Sequence, residues 1–272
     1  MEQNTTLIDN PVVRTLLNRR SIRKFKPDPI DEATVATLET VAQHAASSQY
    51  LTDWSAIRVE DPAVKQRLAE IGRHAYIAEA PLLYVFILDE HRNARIAARK
   101  GVDVDSDEFT LTSSYRFTQA QNDAVLALHA METAAYSLGL GCVILGSILN
   151  SPTGVIETLK LPRFTYPVLG LAIGKPDQEP ALKPRMPRGM QFFTDAYPAD
   201  PEGDADSATA NDPVLGPLDE FDAQVHQYYD LRNTTRPVDA FSDQIASVST
   251  DRNVHAKAVL PVAAAQGFKL EG

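Results

Sequence analysis

A three-layer α/β or α+β domain is the fold class this sequence predicts, and three observations predict it. Short apolar runs with strand character (Ile57–Val59, Pro81–Leu88, Cys142–Leu145, Tyr166–Ile173) alternate with segments whose apolar residues recur every three or four positions. One of these runs, Pro81–Leu88, is continuously apolar, as a strand covered on both faces must be. The helical segment Thr118–Leu138 is apolar on nearly every side, which requires burial in a core or a subunit interface.

In chain order, residues 11–18 read as a short helix that delivers a basic stretch. Pro27 and Pro29 break the backbone, and Asp31 is a good N-cap for a helix to about Ala45. That helix runs into Ala45-Ala46-Ser47-Ser48, small residues that let a flat ligand approach the backbone. Asp61-Pro62 starts a second helix, which Gly72 is expected to end. Residues 90–117 are charged and uneven, a helix plus an exposed loop. Gly139-Leu140-Gly141 turns the long helix into the strand Cys142–Leu145, which stops at Gly146-Ser147. Asn150–Leu159 reads as a short helix, and residues 174–190, rich in proline and basic residues, as an extended loop. Residues 198–217 carry five acidic residues and almost nothing apolar, the composition of a disordered insertion. Leu218–Tyr229 resumes helix, and Asn253–Gln266 reads as a closing amphipathic helix ended by Gly267.

Composition excludes several classes. A net charge of −10 speaks against a nucleic-acid or anionic-membrane surface, and no apolar run approaches a membrane span. The single cysteine, Cys142, rules out internal disulfides and multi-cysteine metal sites, and reads as a small buried hydrophobe. With no secretory signal pattern at Met1-Glu2-Gln3-Asn4, a cytoplasmic protein is expected. No hydrolase, zincin or phosphate-loop motif occurs.

Against that acidic background, Arg19-Arg20-Ser21-Ile22-Arg23-Lys24-Phe25 concentrates three arginines, a serine and a lysine within six residues. Arginine forks suit phosphate and the electron-rich carbonyls of a heteroaromatic ring. Lys183 and Arg185, flanked by prolines, would project to one side of an extended segment as a phosphate clamp, the alternative being a solvated loop. Gly139-x-Gly141-x4-Gly146 fails the dinucleotide fingerprint in spacing and in its helix-then-strand order. It is better explained by a turn and by a strand end that approaches a ligand.

The Arg-Arg-Ser-Ile-Arg-x-Phe stretch resembles the N-terminal motif of the nitroreductase family of flavoproteins. Ser47-Ser48, Gly139–Gly146, Leu182-Lys183-Pro184-Arg185-Met186-Pro187, and Tyr228-Tyr229 with Phe241-Ser242-Asp243 match it in order. The branch most similar is that of oxygen-insensitive NADPH nitroreductases and flavin reductases. The resemblance implies an α+β, three-layer α-β-α sandwich with a central, mostly antiparallel sheet, homodimeric, with one FMN at each subunit interface. Residues 1–197 would form the FMN-binding core, 198–217 the acidic insertion, and 218–272 C-terminal helices and an NADPH loop completing the same domain.

By the same resemblance, Arg19, Arg20, Ser21, Arg23, Ser47, His74, Tyr76, Ile144, Leu145, Gly146, Ser147, Lys183 and Arg185 would bind FMN. Arg23 would lie near flavin N1 and the C2 carbonyl, and Lys183 with Arg185 at the phosphate. Arg232 and Arg236 would meet the 2′-phosphate of NADPH. The implied activity is ping-pong two-electron reduction of nitroaromatics, quinones or free flavins, with no side chain acting as acid or base. His74 (usually Gln), Ser147 (usually Gly) and Leu149 (usually Arg) depart from that branch. They keep alternatives open: a non-catalytic flavin-binding or redox-sensing protein, or a specialised reductase or dehalogenase on the same fold.

Overall fold

The computed structural model describes residues 7–201, 212–230, 234–257 and 259–270. The chain forms two compact units, Met1–Glu179 with Asn253–Gly272, and Pro180–Arg252.

In the first unit, helix α1 (Pro11–Leu17) leads to α2 (Glu32–Gln43) and strand β1 (Trp54–Arg58). Then come α3 (Pro62–Gly72), the single turn α4 (Tyr76–Glu79), β2 (Leu82–Asp89), α5 (Glu90–Arg99) and the long α6 (Ser114–Ser137). Strand β3 (Gly141–Leu145), α7 (Pro152–Leu159) and β4 (Thr165–Gly174) follow. The helix starts are written locally. Asn10, Asp31, Asp61, Asp89, Ser113 and Ser151 each turn a side-chain oxygen onto a first-turn N–H, and proline opens α1, α3 and α7.

Among the described residues, four strands form one antiparallel sheet in the order β1-β2-β4-β3. Every residue of β2 is buried. Its alternate side chains feed two cores: Leu83, Val85 and Ile87 meet α3 and α7 on one face, and Leu82, Tyr84 and Phe86 meet α2 and α6 on the other. Helices therefore cover both faces, the three-layer α+β arrangement that was expected. A third cluster at one end of the sheet gathers Phe109, Phe117, Phe164, Tyr166 and Phe268. The C-terminal stretch is held there by Phe164 N donating to Gln266 O (2.8 Å) and Lys269 N to Thr112 O (2.8 Å).

Three local expectations change in this unit. The left-handed residue after α3 is Arg73 (φ 56°), not Gly72. Gly72 is instead closely packed: a Cβ there would lie 2.5 Å from Ile77 Cδ1, and that side chain would have to shift. The closing helix is split into a 3-10 turn (Arg252–Ala256) and α10 (Val259–Ala265), numbered after two helices described next. Pro261 sits in its first turn, where a missing N–H costs least. The long helix begins at Ser114, one turn earlier than its apolar pattern shows, because Ser113 caps it.

The second unit contains α8 (Leu218–Val225) and α9 (Phe241–Ser249). The helix expected to reach Tyr229 stops at Val225, and the carbonyl of Tyr228 accepts from Val238 N instead (2.9 Å). Asp222 on α8 takes the N–H of Ser242 (2.9 Å) and its hydroxyl, docking α9, and the Phe221 and Phe241 rings meet at 5.2 Å. Of the acidic insertion, residues 202–211 lie outside the described residues, as does Arg232.

Candidate active site

The Arg19–Phe25 segment is strapped along the free edge of β3. Ser21 bridges Cys142 in parallel fashion, Ile22 N donates to Cys142 O (2.8 Å), and the buried Ile22 side chain lies over Gly141, where a Cβ would come within 2.7 Å. Its far end is tied to the exit of β4 by Lys26 N to Lys175 O (2.9 Å), Asp177 N to Lys24 O (3.0 Å) and the Lys24–Asp177 ion pair (2.8 Å). Apolar residues thus anchor the segment while its cations remain at the surface.

Those cations differ in what they meet. Arg19 Nε pairs with Glu132 on α6 (3.1 Å), a carboxylate whose side chain is only 2% exposed. Arg20 reaches Glu179 at 3.5 Å, and its backbone carbonyl lies 2.8 Å from the Tyr136 hydroxyl. Arg23 donates its backbone N–H to Gln178 Oε1 (2.9 Å), yet this half-buried residue has no acid partner among the described residues.

At the other end of β3, Leu145 is buried and Ile144 half-buried, and the strand opens at Gly146, where an added Cβ would meet nothing within 4 Å. Ser147 sits beside Gly72, and Asn150 Nδ2 donates to Ile71 O (3.2 Å), so the end of α3 borders this opening. His74 and Tyr76, just beyond, stack with ring centroids 5.0 Å apart. The structure therefore joins Arg19, Arg20, Ser21, Arg23 and residues 144–147 along one strand, with His74 and Tyr76 near its end.

Ser47 lies elsewhere on the unit. Asp123 on α6 accepts from Ser48 N (3.1 and 3.0 Å) and Ser48 Oγ (3.2 Å). Arg19 holds the same helix nine residues further on, about 14 Å along its axis. Ser47 Oγ accepts from Thr52 N (2.7 Å), closing a loop in which Gln49, Tyr50 and Thr52 all have positive φ (53°, 59° and 45°). Each such residue costs about 1–2 kcal/mol, so the loop must be held from outside. Arg116 bonds Gln49 (2.9 Å), Asn93 bonds Leu51 O (3.2 Å), and Arg92 bonds Thr52 O. Tyr50 is displayed at 90% exposure.

Beneath this loop lies a cluster that no sequence motif marked. Asp53 is fully buried against Asp123, and among the described residues no donor reaches either of its carboxyl oxygens. Burial first, then hydrogen bonding and charge repulsion from Asp123, push its carboxyl up, to about 7. Glu90 is also fully buried, with Oε1 unpartnered; burial and the neighbouring Asp53 push it up to about 8. Asp123 and Glu132 did carry a signal, being acids within the buried three-four spacing Ala120, Ala124, Ala127, Leu128, Met131, Ala135.

Lys183, Arg185 and Arg236 belong to the second unit. Lys183 and Arg185 are exposed, and the Arg185 guanidinium turns back onto the Lys183 carbonyl (2.9 Å). Arg236 pairs with Asp239 (3.1 Å). Burial raises the thiol pKa of Cys142, and the residue is inert by position. Among the described residues, no group of His, Cys, Asp and Glu could hold a metal, and no helix is long and apolar enough to cross a membrane.

The cationic strap and the open strand end thus lie along one edge of the sheet. The sequence model of the nitroreductase family matches residues 16–175, and that of the family's C-terminal domain matches residues 183–271. An NADPH-dependent oxidoreductase of Staphylococcus saprophyticus is 31% identical over 87% of this chain and 90% of its own length. Among solved structures, NfrA2 of B. megaterium superposes with a TM-score of 0.83 at 30% identity, covering 97% of this chain and 100% of that one. NADPH:FMN oxidoreductase from Vibrio harveyi, complexed with NAD+, gives 0.77 at 27% identity over 95% and 99%. The chain belongs to the nitroreductase family and is an oxidoreductase.

Proposed function

We propose that the protein is an FMN-dependent NADPH oxidoreductase, turning over by a ping-pong cycle with nitroaromatics, quinones or free flavins as acceptors. One observation carries the flavin reading. Arg19, Arg20 and Lys24 each have an acid partner, whereas the half-buried Arg23 has none among the described residues. A partly desolvated cation without a counter-charge is costly until an anion or electron-rich edge arrives. The N1–C2 edge of a flavin is such a group, and the relatives named for NADPH and FMN support that choice.

Arg20, Ser21 and Arg23 would hold the polar edge, with Arg19 behind them, and Ile144–Ser147 would lie against the ring at the opening beside Gly146. His74 and Tyr76 would border it, Lys183 and Arg185 would take the phosphate, and Arg232 and Arg236 the nucleotide. FMN when bound supplies the hydride chemistry; the side chains bind, orient and tune. Ser47 is about two and a half helical turns from Arg19 along α6, which favours a homodimer with sites at its interface. The surface of one chain agrees, exposing Val12 (60%), Leu17 (55%) and Leu126 (46%) on α1 and α6.

The test is the absorption spectrum of purified protein, followed anaerobically with NADPH and with NADH. A yellow protein bleached by NADPH is expected. Arg23→Ala should weaken FMN binding by about 10- to 150-fold, the effect of one charge-assisted contact. Colourless protein that fails to bind added FMN would end this reading.

A further inference from the structure

We propose that Asp53 and Asp123 share a single proton, and that this proton latches the strained Ser47–Thr52 loop against α6. Four observations lead there. The Asp53 carboxyl is fully buried, and no donor among the described residues reaches either of its oxygens. Its neighbour is a second carboxyl, Asp123, and two acids in buried contact cannot both be ionised. Asp123 is already committed as an acceptor to the Ser48 N–H and hydroxyl. The loop it holds contains three non-glycine residues at positive φ, a conformation that persists only while anchored.

The arrangement satisfying all four places the proton on Asp53 and points it at Asp123. Asp123 then accepts from Asp53, from Ser48 N and from Ser48 Oγ. When the proton is lost to bulk water, two negative carboxylates face each other in a buried site. Separating them pulls Asp123 from Ser48 or exposes Asp53, and the loop loses an anchor in either case.

The surrounding charges fix the direction. From α5, Glu90 faces Asp53; burial first and then Asp53 push its carboxyl up to about 8, so it stays neutral while Asp53 loses its proton. From the β2–α5 junction, Asp89 is engaged by Ser55 (2.5 Å) and by Arg92 N (3.0 Å). Arg92 on α5 spends its guanidinium on the Thr52 and Trp54 carbonyls, and Arg116 on α6 spends its own on Gln49 and Gln119. The cations thus grip the loop, while burial first and then Asp123 hold the proton on Asp53 against the pull of Arg116. The latch is closed on the acid side of neutrality and opens as pH rises. Any effect on flavin rests on the proposed role of Ser47; the latch itself does not.

Hydrogen exchange at the Ser48 and Thr52 amides, corrected for intrinsic rates, tests this on the protein as purified. Wild-type protection should be flat below neutrality, then fall by up to about tenfold per pH unit above the pair's transition. Asp53→Asn, whose amide is a permanent donor to Asp123, should keep the protection and abolish the fall. Glu90→Gln should retain the fall at nearly the same pH, because Glu90 is neutral where Asp53 titrates. Flat wild-type protection, an unchanged fall in Asp53→Asn, or a fall abolished by Glu90→Gln would each overturn the proposal. If Asp53→Asn does not fold, infrared spectra of wild type isotope-labelled at aspartate side-chain carboxyls decide. A protonated-carboxyl band lost between the acid and alkaline sides of neutrality is expected, and its absence on the acid side refutes the shared proton. The visible spectrum separates this from the flavin reading: colourless protein with the exchange pattern intact keeps the latch and sinks the flavin.

Discussion

Helix α6 carries two buried acids, and they are neutralised in opposite ways. Glu132 meets a fixed cation, Arg19, with His129 at 3.2 Å on its other oxygen. Asp123 meets backbone and hydroxyl donors and, in place of a cation, a second carboxyl. The first arrangement anchors the cationic strap, and its strength does not depend on a proton. The second anchors a strained loop with a partner that can ionise. One helix thereby holds two edges of the candidate site, one rigidly and one conditionally.

The largest effect that sharpens this contrast concerns Asp53. Its folded-state pKa is raised, so the unfolded chain releases this proton first as pH climbs past about 4. Stability is therefore lost from there up to the folded value of about 7. The limiting slope is about 1.4 kcal/mol per pH unit. Asp53→Asn should flatten that decline and leave the variant more stable than wild type above neutrality, by at most about 4 kcal/mol. Urea midpoints at several pH values measure it. Parallel curves for the two proteins would place both ends of α6 in the same electrostatic class.

The next effect belongs to the fixed pair. Arg19→Met strands Glu132 in the core and should cost about 2–3 kcal/mol, the low end for breaking a buried pair because Arg19 is itself 29% exposed. Adding Glu132→Gln should recover at least half, since the stranded charge rather than the lost attraction dominates. Additive losses in the double variant would show that Arg19 acts through packing alone.

What was legible in the sequence follows the same division. Helix caps, the doubly buried β2 and the basic strap are encoded within a few residues, so capping, alternation and composition reveal them. Gly72 misled because a glycine closely packed against Ile77 looks like one demanded by a left-handed turn. Helix α9 was missed because the group holding its start, Asp222, lies 20 residues away. The Asp53–Asp123–Glu90 cluster was invisible for a stronger reason. Asp53 follows a polar loop and Glu90 opens a charged helix, so each looks solvated until β1, β2 and α6 come together. Only Asp123, an acid in an alanine-rich buried stripe, announced itself.

The smallest expected effect comes from a pair that is neither buried nor proton-dependent. Arg236 is held by Asp239 three residues on, with side-chain exposures of 67% and 54%. If Arg236 grips the 2′-phosphate of NADPH as proposed, it must first leave Asp239, and an exposed pair resists that only weakly. Asp239→Asn should therefore lower KM for NADPH by about two- to fivefold, with kcat and the KM for NADH nearly unchanged. The gain should shrink as salt rises, because both the pair and the phosphate contact are open to solvent. Equal changes with NADH and NADPH would mean that Asp239 acts on the nucleotide's shared half, and Arg236 would lose its assignment. No change with either would leave the 2′-phosphate to other residues. Either result leaves the contrast along α6 standing, since that rests on two buried acids, Asp123 and Glu132.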